Sequence, residues 1–364
     1  MSNIKPYIRA MQLYPVGESS VPGFEKVIHL ASNENNHPPS EAVLDAVKMS
    51  MQQTNRYADS SCRKVIDQLA AHHHLSGEKI VCGNGSAALI FLLAEALLSQ
   101  QDEMLVLKHG YALYETAAQR VGATLIRASA KVGQFIDPQA LIGACTSRTK
   151  LVLIDNPNNP TGAFIPLSTL REIRERLPQD ILLVIDAAYA EYVNAEEYDG
   201  GLSLVNEYDN VCVLRSFSKI YGLAGARMGW LYGPLPIIHA LKVLQAPASV
   251  SSAAQSAAVA ALVHDKERIQ ELRVQNKHLC QVFTAHCSAL GLTPYPSEAN
   301  FVLVDFLSAD LAKEVFSALK MKGIIVRPMA SNRLPSCLRF TIGTMGEMDS
   351  LQKALSEIIQ EKRC

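Results

Sequence analysis

Between residues 79 and 231, short runs of apolar and β-branched residues alternate with helical patterns. Several of these runs are apolar throughout, which is typical of parallel strands that helices cover on both faces. The candidate strands are "KIVCG", "EMLVLK", "ATLIRA", "KLVLID", "ILLVID", "VCVLRS" and "RMGWLYG". The alternation therefore predicts an α/β fold with a mainly parallel sheet sandwiched by helices in a large domain.

Beyond residue 265 the pattern changes. A long, charged helical pattern covers residues 265–290, and candidate strand, helix, strand, strand and helix segments follow it. These segments are "ANFVLVDF", "ADLAKEVFSALKMKG", "IIVRPM", "CLRFTIGT" and "MDSLQKALSEIIQ". They predict a smaller α+β domain.

The start of the chain has turn signals and little periodicity, so we expect it to form an arm. The predicted division has three parts. Residues 1–40 form the N-terminal arm and part of the small domain, residues 41–275 the large domain, and residues 276–364 the small C-terminal domain.

The charge balance argues against two classes of partner. Lysine and arginine together number 34 and aspartate and glutamate 35, and no basic block is long enough to follow a phosphate backbone or an anionic membrane. The longest apolar stretch, "ALIFLLAEALL" at 88–98, is interrupted by Glu95 and is too short to cross a bilayer. We expect neither a nucleic-acid partner nor a membrane span.

The cysteines and histidines indicate a reducing compartment and no metal. Eight cysteines are scattered without a C-x-x-C pair, and the N-terminus lacks the pattern of a secretory signal. His72, His73 and His74 are consecutive, and consecutive helix residues face different directions, so a solvated helix end explains them better than a metal site. The sequence predicts a cytoplasmic protein without a bound metal.

A glycine-rich turn follows the first candidate strand of the large domain. In "GNGSAA", Gly83, Gly85 and Ala88 match the G-x-G-x-x-A form of a dinucleotide fingerprint. The acid that should end the next strand and bind a ribose is missing, because Lys108 stands there. What remains is a helix start whose backbone N–H groups favour an anion, so we expect a phosphate-bearing ligand.

Three polar segments follow candidate strands at their carboxyl ends, the edge where open α/β sheets bind ligands. They are "DNPNNPTG" at 155–162, "DAAY" at 186–189 and "SFSK" at 216–219, and Arg227 stands eight residues after Lys219. Their order and residue types resemble the active site of pyridoxal-phosphate-dependent aminotransferases of fold-type I. With "ASNENNHPPS", "NRYAD", "GNGS", "EANFVLV", "IIVRP" and "LRFTIGT", nearly the whole chain most closely resembles the histidinol-phosphate aminotransferase family.

The resemblance implies a large domain that binds pyridoxal 5'-phosphate, and it implies roles for individual residues. Lys219 would hold the cofactor aldehyde as an imine and later carry a proton, which suits a lysine partly shielded from water. Asp186 would keep the pyridine nitrogen protonated. Asn159 and Tyr189 would contact the ring oxygen, and Tyr111 would stack on the ring. Lys219, Asp186 and Tyr189 are the predicted catalytic residues.

The cofactor phosphate is expected at the glycine-rich turn. The residues that the resemblance implies around it are Gly85, Ser86, Ala87, Ser216, Ser218 and Arg227. Arg227 offers a fork-shaped cation, and the small residues around it allow close packing. Tyr57 resembles a tyrosine that reaches the same phosphate from the neighbouring subunit, which implies a homodimer with shared active sites.

The residues predicted to contact substrate are Arg339, Arg327, Asn159 and Asn33. The resemblance implies that Arg339 binds the carboxylate of glutamate and, in the other half-reaction, the phosphate of histidinol phosphate. A tyrosine of the arm commonly reaches that phosphate, and both Tyr14 and Tyr7 are candidates. The implied reaction is ping-pong transamination of histidinol phosphate, the amine donor, with 2-oxoglutarate, a 2-oxo acid. It gives imidazole-acetol phosphate and glutamate.

Other activities fit some of the same motifs. An aromatic amino-acid aminotransferase would share every cofactor contact, and the departures from the family pattern at Ala87, Ala88 and Ala187 leave the amine donor open. A threonine-phosphate decarboxylase has a similar frame but releases carbon dioxide. Outside this class, only the motif "GNGSAA" supports a dinucleotide-dependent dehydrogenase. A binding module without catalytic activity is disfavoured, because Lys219 and Asp186 are both present.

Overall fold

The structure is a computed structural model that describes residues 3–14, 20–130, 135–195 and 198–362. Its helices α1 to α13 are Pro6–Ala10, Glu41–Met51, Arg63–His73, Ser86–Leu97, Leu113–Val121, Pro138–Gly143, Leu167–Arg176, Leu204–Glu207, Leu235–Leu244, Ser252–His264, Lys266–Ala289, Ala309–Met321 and Met345–Glu361. Its strands β1 to β13 are Ile28–His29, Ile80–Gly83, Glu103–Val106, Thr124–Arg127, Thr149–Asp155, Leu182–Asp186, Val211–Ser216, Gly229–Tyr232, Thr293–Pro294, Phe301–Asp305, Ile324–Ile325, Arg327–Pro328 and Cys337–Thr341.

The larger sheet of the described chain has seven strands in the order β2-β8-β7-β6-β5-β3-β4. Strand β8 is antiparallel to both of its neighbours, and the other pairs are parallel. These strands fall on the seven candidate runs between residues 79 and 231. The prediction of an α/β fold with a mainly parallel sheet is confirmed.

Both faces of this sheet are buried. Successive residues of a strand point to opposite sides, so each strand contributes to two apolar cores. In β5, Val152 and Ile154 belong to an apolar core that includes residues of α3, α7 and α10. Leu151 and Leu153 belong to a second core, which α4 and α5 share. Burial on two faces explains why these strands are apolar along their whole length.

A second, antiparallel sheet has the order β12-β13-β10-β9. Its core is formed with α11, α12 and α13 and includes Phe283, Val315 and Phe340. Helix α11 connects the two parts of the molecule, since Leu272 packs against a core of the large sheet and Phe283 lies in the second core. The predicted boundary between residues 275 and 276 falls inside this helix, and the division into three parts stays a prediction.

The N-terminal segment joins the second part by backbone pairing. Strand β1 pairs in parallel with β11, and Leu30 packs in the core of the second sheet. Farther toward the N-terminus, α1 contacts α5 of the large part. Among the helices in the described part of the chain, none has the length and apolar content that a membrane span needs.

The expected single strand "IIVRPM" is two short strands in different sheets. Strand β11 pairs with β1, whereas β12 pairs antiparallel with β13. Because β1 has only two residues, the backbone changes its partner at Val326. The sequence pattern does not reveal this change, since β1 is distant in sequence and carries no strand periodicity.

Candidate active site

Three neighbouring strands of the large sheet end at the same edge. Asp155 is the last residue of β5, Asp186 of β6 and Ser216 of β7. Parallel pairing aligns Asp155 with Asp186, and β7 lies on the other side of β6. Because the carboxyl ends of parallel strands meet at one edge, the segments that follow them are brought together there. The candidate site is built at this edge.

Asp186 is a buried carboxylate with two hydrogen-bond donors. The residue is 5% exposed, and its Oδ2 accepts a hydrogen bond from the Tyr114 hydroxyl at 3.0 Å. Its Oδ1 accepts from the backbone N–H of Ala188 at 3.3 Å. Burial raises the pKa of Asp186 to about 6, a shift that Tyr114 and Ala188 oppose. The carboxyl group is therefore mostly ionised at neutral pH, which suits a place beside a protonated ring nitrogen.

Lys219 follows β7 by three residues, and its amine reaches the N-terminal segment. Nζ donates to the backbone carbonyl oxygens of Asn33 at 3.1 Å and Ser32 at 3.3 Å. Burial lowers the pKa of Lys219 to about 8, and the charge of Arg339 adds to this shift, whereas Glu34 opposes it. A pKa near 8 leaves part of the amine neutral at physiological pH, as a nucleophilic lysine requires.

The glycine-rich turn leads from β2 directly into α4. Gly85 precedes the helix with a φ of 78°, and no described side chain caps the helix start. A Cβ atom at Gly85 would collide with the Arg227 guanidinium, so the close approach of the two requires glycine. The backbone N–H groups of Ser86 and Ala87 lie at the positive end of the helix dipole, where an anion is favoured.

Two serines and an arginine complete the surroundings of this helix start. Arg227 Nη1 donates to the Ala224 carbonyl oxygen at 2.9 Å and to Ser218 Oγ at 3.4 Å. Ser216 Oγ accepts the backbone N–H of Ser218 at 3.0 Å. A guanidinium fork, hydroxyls and a helix start form a donor set that fits a phosphate. With Lys219 and Asp186 at the same sheet edge, the residues present fit pyridoxal phosphate.

Arg339 in β13 reaches this edge from the second sheet. It is 7% exposed, and it donates to the side-chain oxygen of Asn159 and, at 2.7 Å, to the carbonyl oxygen of Ala31. Burial lowers the pKa of Arg339 to about 10, a shift that Tyr189 opposes and Arg327 increases. Its Nε is buried and has no hydrogen-bond partner among the described residues, so a donor is left for a bound anion.

Asn33 connects the N-terminal segment to both sheets. Its Nδ2 donates to the Tyr189 hydroxyl at 2.9 Å, and its backbone N–H donates to Thr341 Oγ1 at 3.0 Å. Its carbonyl oxygen accepts from Asn300 Nδ2 at 3.1 Å and also from Lys219. Asn33 therefore fixes the hydroxyl of one predicted catalytic residue and the amine of another.

The two candidate tyrosines of the arm lie at opposite ends of α5. Tyr14 hydrogen-bonds Tyr111, just before the helix, and it interacts electrostatically with Arg339. Tyr7 lies against Gly122, just after the helix, where an added Cβ atom would be 3.0 Å from the Tyr7 ring. Burial raises the pKa of Tyr111 well above its usual range, and Tyr14 adds to this shift. The structure thus brings Tyr14, and not Tyr7, to the candidate site.

Most of the predicted site residues come together within one chain. These are Lys219, Asp186, Tyr189, Asn159, Tyr111, Asn33, Arg339, Gly85, Ser86, Ala87, Ser216, Ser218 and Arg227. Arg327 pairs with Arg339 across β12 and β13. Tyr57 is 96% exposed on the loop after α2, so its predicted contact requires a second chain. The roles of all these residues remain predictions.

Sequence reasoning assigns no role to Tyr114, Asn300 or Asp155, which the structure places in or beside the site. Tyr114 lies in the first turn of α5, three residues after Tyr111, and its contact with Asp186 depends on how α5 packs against the sheet. Asn300 belongs to the quoted segment "EANFVLV", but its bond to Asn33 depends on a contact between distant segments. Asp155 begins "DNPNNPTG", and its position beside Asp186 follows only from the strand order.

The histidine triplet makes ring contacts in the structure. The rings of His72 and His73 meet at 4.7 Å, and His73 lies 5.3 Å from the Trp230 ring. Burial lowers the pKa of His73 to about 2. Within the described ranges, no three side chains of the histidine, cysteine, aspartate or glutamate type are grouped as metal ligands.

Comparison with known proteins identifies the family. The family model for aminotransferase class I and II matches residues 25–356. The histidinol-phosphate aminotransferase of Rhodospirillum centenum is 40% identical over 353 residues, which are 97% of each chain. That of Granulibacter bethesdensis is 38% identical over 357 residues, which are 98% of this chain and 96% of the relative.

Solved structures agree with this family. A histidinol-phosphate aminotransferase from Sinorhizobium meliloti in complex with pyridoxal-5'-phosphate has a TM-score of 0.90 at 26% identity, with 99% of this chain and 98% of the other covered. An aspartate aminotransferase from Thermus thermophilus, with a TM-score of 0.82 at 21% identity, shares the fold. Fold and site define a pyridoxal-phosphate-dependent aminotransferase of fold-type I. The chain belongs to the aminotransferase class I and II family.

Gly229 keeps β8 close to the start of α4, and we expect alanine at this position to weaken cofactor binding. A Cβ atom there would collide with the backbone nitrogen of Ser86. Gly229→Ala should lower the free energy of unfolding by about 1–3 kcal/mol because the site becomes overpacked. It should also raise the dissociation constant for pyridoxal phosphate about tenfold or more. Urea unfolding and absorbance titration of the apoenzyme measure the two effects.

Gly225→Ala is the matched control for this substitution. It lies in the same segment, and an added Cβ atom would meet nothing within 4 Å. Gly225→Ala should change the free energy of unfolding and the free energy of cofactor binding by less than about 0.5 kcal/mol each. Cofactor affinity equal to that of the wild type in Gly229→Ala would contradict a phosphate site at this helix start.

Proposed function

We propose that the protein transfers the amino group of histidinol phosphate to 2-oxoglutarate, giving imidazole-acetol phosphate and glutamate in histidine biosynthesis. Relatives with 40% and 38% identity carry the name histidinol-phosphate aminotransferase. The observation that carries the proposal in this chain is the buried guanidinium of Arg339, whose charge lowers the pKa of the Lys219 amine. A buried cation beside the reactive amine favours donors and acceptors that carry an anionic group.

Pyridoxal phosphate, when bound, supplies an aldehyde for the amine donor and a ring that accepts electrons. We assign Asp186 to the ring nitrogen, Asn159 and Tyr189 to the ring oxygen, and Tyr111 to the ring face. The residues assigned to the phosphate are Gly85, Ser86, Ala87, Ser216, Ser218 and Arg227. The support is the shared sheet edge and the donor set at the start of α4.

Asp186 and Lys219 are expected to divide the acid and base roles. The carboxyl of Asp186, with a pKa of about 6, is ionised at neutral pH and stabilises a proton on the ring nitrogen. Lys219 Nζ, with a pKa of about 8, takes the proton from the donor carbon that bears the amine. About half of the amine is neutral at pH 8, and the neutral fraction rises through this pH, so the rate of proton removal should rise with pH and level off above about 8.

Substrate anions are assigned to Arg339, with Arg327, Asn159 and Asn33 around it. Arg339 keeps its charge at neutral pH, since its lowered pKa is still about 10. One guanidinium is able to bind the phosphate of the donor in one half-reaction and a carboxylate in the other, because both anions accept paired N–H donors. Tyr14, which lies beside Tyr111, is the arm residue that we assign to the donor phosphate.

We also propose a homodimer with shared active sites. Tyr57 is 96% exposed on a single chain, and it follows α2, on which Leu44, Met49 and Met51 are also exposed. A second copy of the chain would cover these apolar side chains and bring Tyr57 of the partner subunit to the cofactor phosphate. A cytoplasmic location is proposed on the free thiols of the described cysteines, which suit a reducing compartment.

Donor selectivity tests the proposed substrate. In single-turnover experiments without a 2-oxo acid, histidinol phosphate should remove the cofactor absorbance at about 420 nm. The rate should exceed that with phenylalanine by about tenfold or more, because the phosphate meets Arg339. Arg339→Gln should lower the single-turnover rates with histidinol phosphate and with glutamate by about 100-fold, since each donor loses its ionic partner. Stopped-flow absorbance gives these rates.

Arg176→Gln serves as the control, because this arginine lies on the surface in α7 with a side chain that is 44% exposed. It should leave all the rates unchanged. Faster reaction with phenylalanine would indicate an aromatic amino-acid aminotransferase. Release of carbon dioxide without consumption of a 2-oxo acid would indicate a decarboxylase. Each of these two results contradicts the proposal.

Mixed dimers test the shared sites. Lys219→Ala chains should be inactive, and Tyr57→Phe chains should bind the cofactor about tenfold more weakly, because a hydrogen bond to its phosphate is lost. A refolded one-to-one mixture should regain about a quarter of the wild-type sites at limiting cofactor, since each mixed dimer contains one complete site. Activity of the mixture equal to the mean of the two parent variants would show that the sites are not shared.

A further inference from the structure

Asp155 is a second buried carboxylic group beside Asp186. It ends β5, is 3% exposed and pairs in register with Asp186 on the adjacent strand. Both side chains leave the same face of the sheet, because Leu153 and Val184, two residues before them, belong to the same core. Neighbouring strands lie about 4.8 Å apart, so the two carboxyl groups are close neighbours.

The two oxygens of Asp155 have different surroundings. Oδ2 accepts the backbone N–H of Asn159 at 2.8 Å and so fixes the turn that carries the Asn159 side chain. Oδ1 is buried and has no hydrogen bond of ordinary geometry, although the Asn158 side chain lies close enough to the carboxyl group to lower its pKa. A Cβ atom added to Gly110 would lie 3.6 Å from Oδ1, an ordinary van der Waals contact, so Gly110 lines this side of the oxygen. A buried carboxylate oxygen without a donor is costly.

The charges around Asp155 favour its protonated form. Burial raises the pKa of Asp155 to about 7, and the charge of Asp186 adds to this shift. Hydrogen bonds from the backbone N–H groups of Asn159 and Asp155 and from the Asn158 side chain oppose the shift. The other titratable groups whose charges interact with Asp155 are Tyr114 on α5, Tyr189 after β6 and Arg127 on β4. Two adjacent buried carboxyl groups titrate as a pair, and the first negative charge opposes the second.

We propose that Asp155 is a positioning residue that orients Asn159 through Oδ2 and holds a proton on Oδ1, so that Asp155 and Asp186 together carry one negative charge. The proposal rests on the proposed function, in which Asp186 and Asn159 contact the cofactor ring. The single charge stays on Asp186, where the ring nitrogen is assigned. Ionisation of Asp155 at higher pH adds a second charge at that end of the ring and changes how tightly the cofactor holds its protons.

The stability of the apoenzyme tests, without the cofactor, whether Asp155 holds a proton. The folded pKa of Asp155 lies above its ordinary value, so its contribution to stability is present at low pH and is lost as the pH rises toward about 7. Asp155→Asn removes this dependence. The melting temperature of Asp155→Asn relative to the wild type should therefore rise by about 2 °C or more between pH 5 and pH 8.

Asp137→Asn is the matched control. Asp137 is also buried and accepts a backbone N–H, that of Ala140, but it lies outside the sheet. It should shift the melting temperature equally at both pH values. If the melting temperatures of Asp155→Asn and the wild type differed by the same amount at pH 5 and pH 8, the proton on Asp155 would be refuted, whether or not the cofactor assignments hold.

The holoenzyme tests the positioning role. Asparagine at this position keeps an oxygen for the Asn159 N–H, whereas alanine does not, so Asp155→Ala should raise the KM for histidinol phosphate about tenfold above that of Asp155→Asn. Both variants should lose one step of the pH titration of cofactor absorbance. Equal KM values would overturn the role of Oδ2, and an unchanged titration in Asp155→Asn would overturn the role of Oδ1. Failure of Lys219 to bind the cofactor covalently would instead refute the proposed function.

Discussion

The in-register parallel pairing of β5, β6 and β7 is the constraint on which the site depends. It ends three buried strands at one edge and brings two carboxyl groups and the lysine segment together there. Burial at this edge raises the pKa of Asp186 to about 6 and lowers that of Lys219 to about 8. The two shifts have opposite signs and one cause, because loss of water disfavours the charged form of each group. An ionised acid and a partly neutral amine are thereby available in one site near physiological pH.

Contacts from the second sheet and the N-terminal segment reach this edge, where we propose that substrate anions bind. The side chain of Arg339, in β13, donates a hydrogen bond to Asn159, and Asp155 fixes the turn that carries Asn159. Asn33 bonds to the Tyr189 hydroxyl, and its carbonyl oxygen accepts from Lys219. A shift of the second sheet would change the surroundings of the proposed anion site and of the reactive amine together. The proposed anion site and the pKa of the Lys219 amine therefore depend on the same contacts.

The sequence predicts those parts of the protein that depend on local pattern. Strands buried on both faces are apolar throughout and are visible without a partner, whereas the break between β11 and β12 depends on a two-residue partner far away in sequence. Most candidate site residues belong to motifs that the sequence shows, and three of these motifs begin at the ends of β5, β6 and β7. The sequence does not show whether Tyr14 or Tyr7 reaches the site, because that depends on how the N-terminal arm runs along α5. The neighbours of Asp186, Tyr114 and Asp155, become visible only when the helix and the strand order are known.

Every other assigned contact is defined relative to the proposed covalent bond between the Lys219 amine and the cofactor aldehyde. Reconstitution with pyridoxal phosphate, borohydride reduction and mass spectrometry of peptides test this directly. We expect a reduced pyridoxyl-phosphate adduct on the peptide that contains Lys219 and none in Lys219→Ala. An adduct on another lysine of the folded enzyme, or no adduct in the wild type, would contradict it.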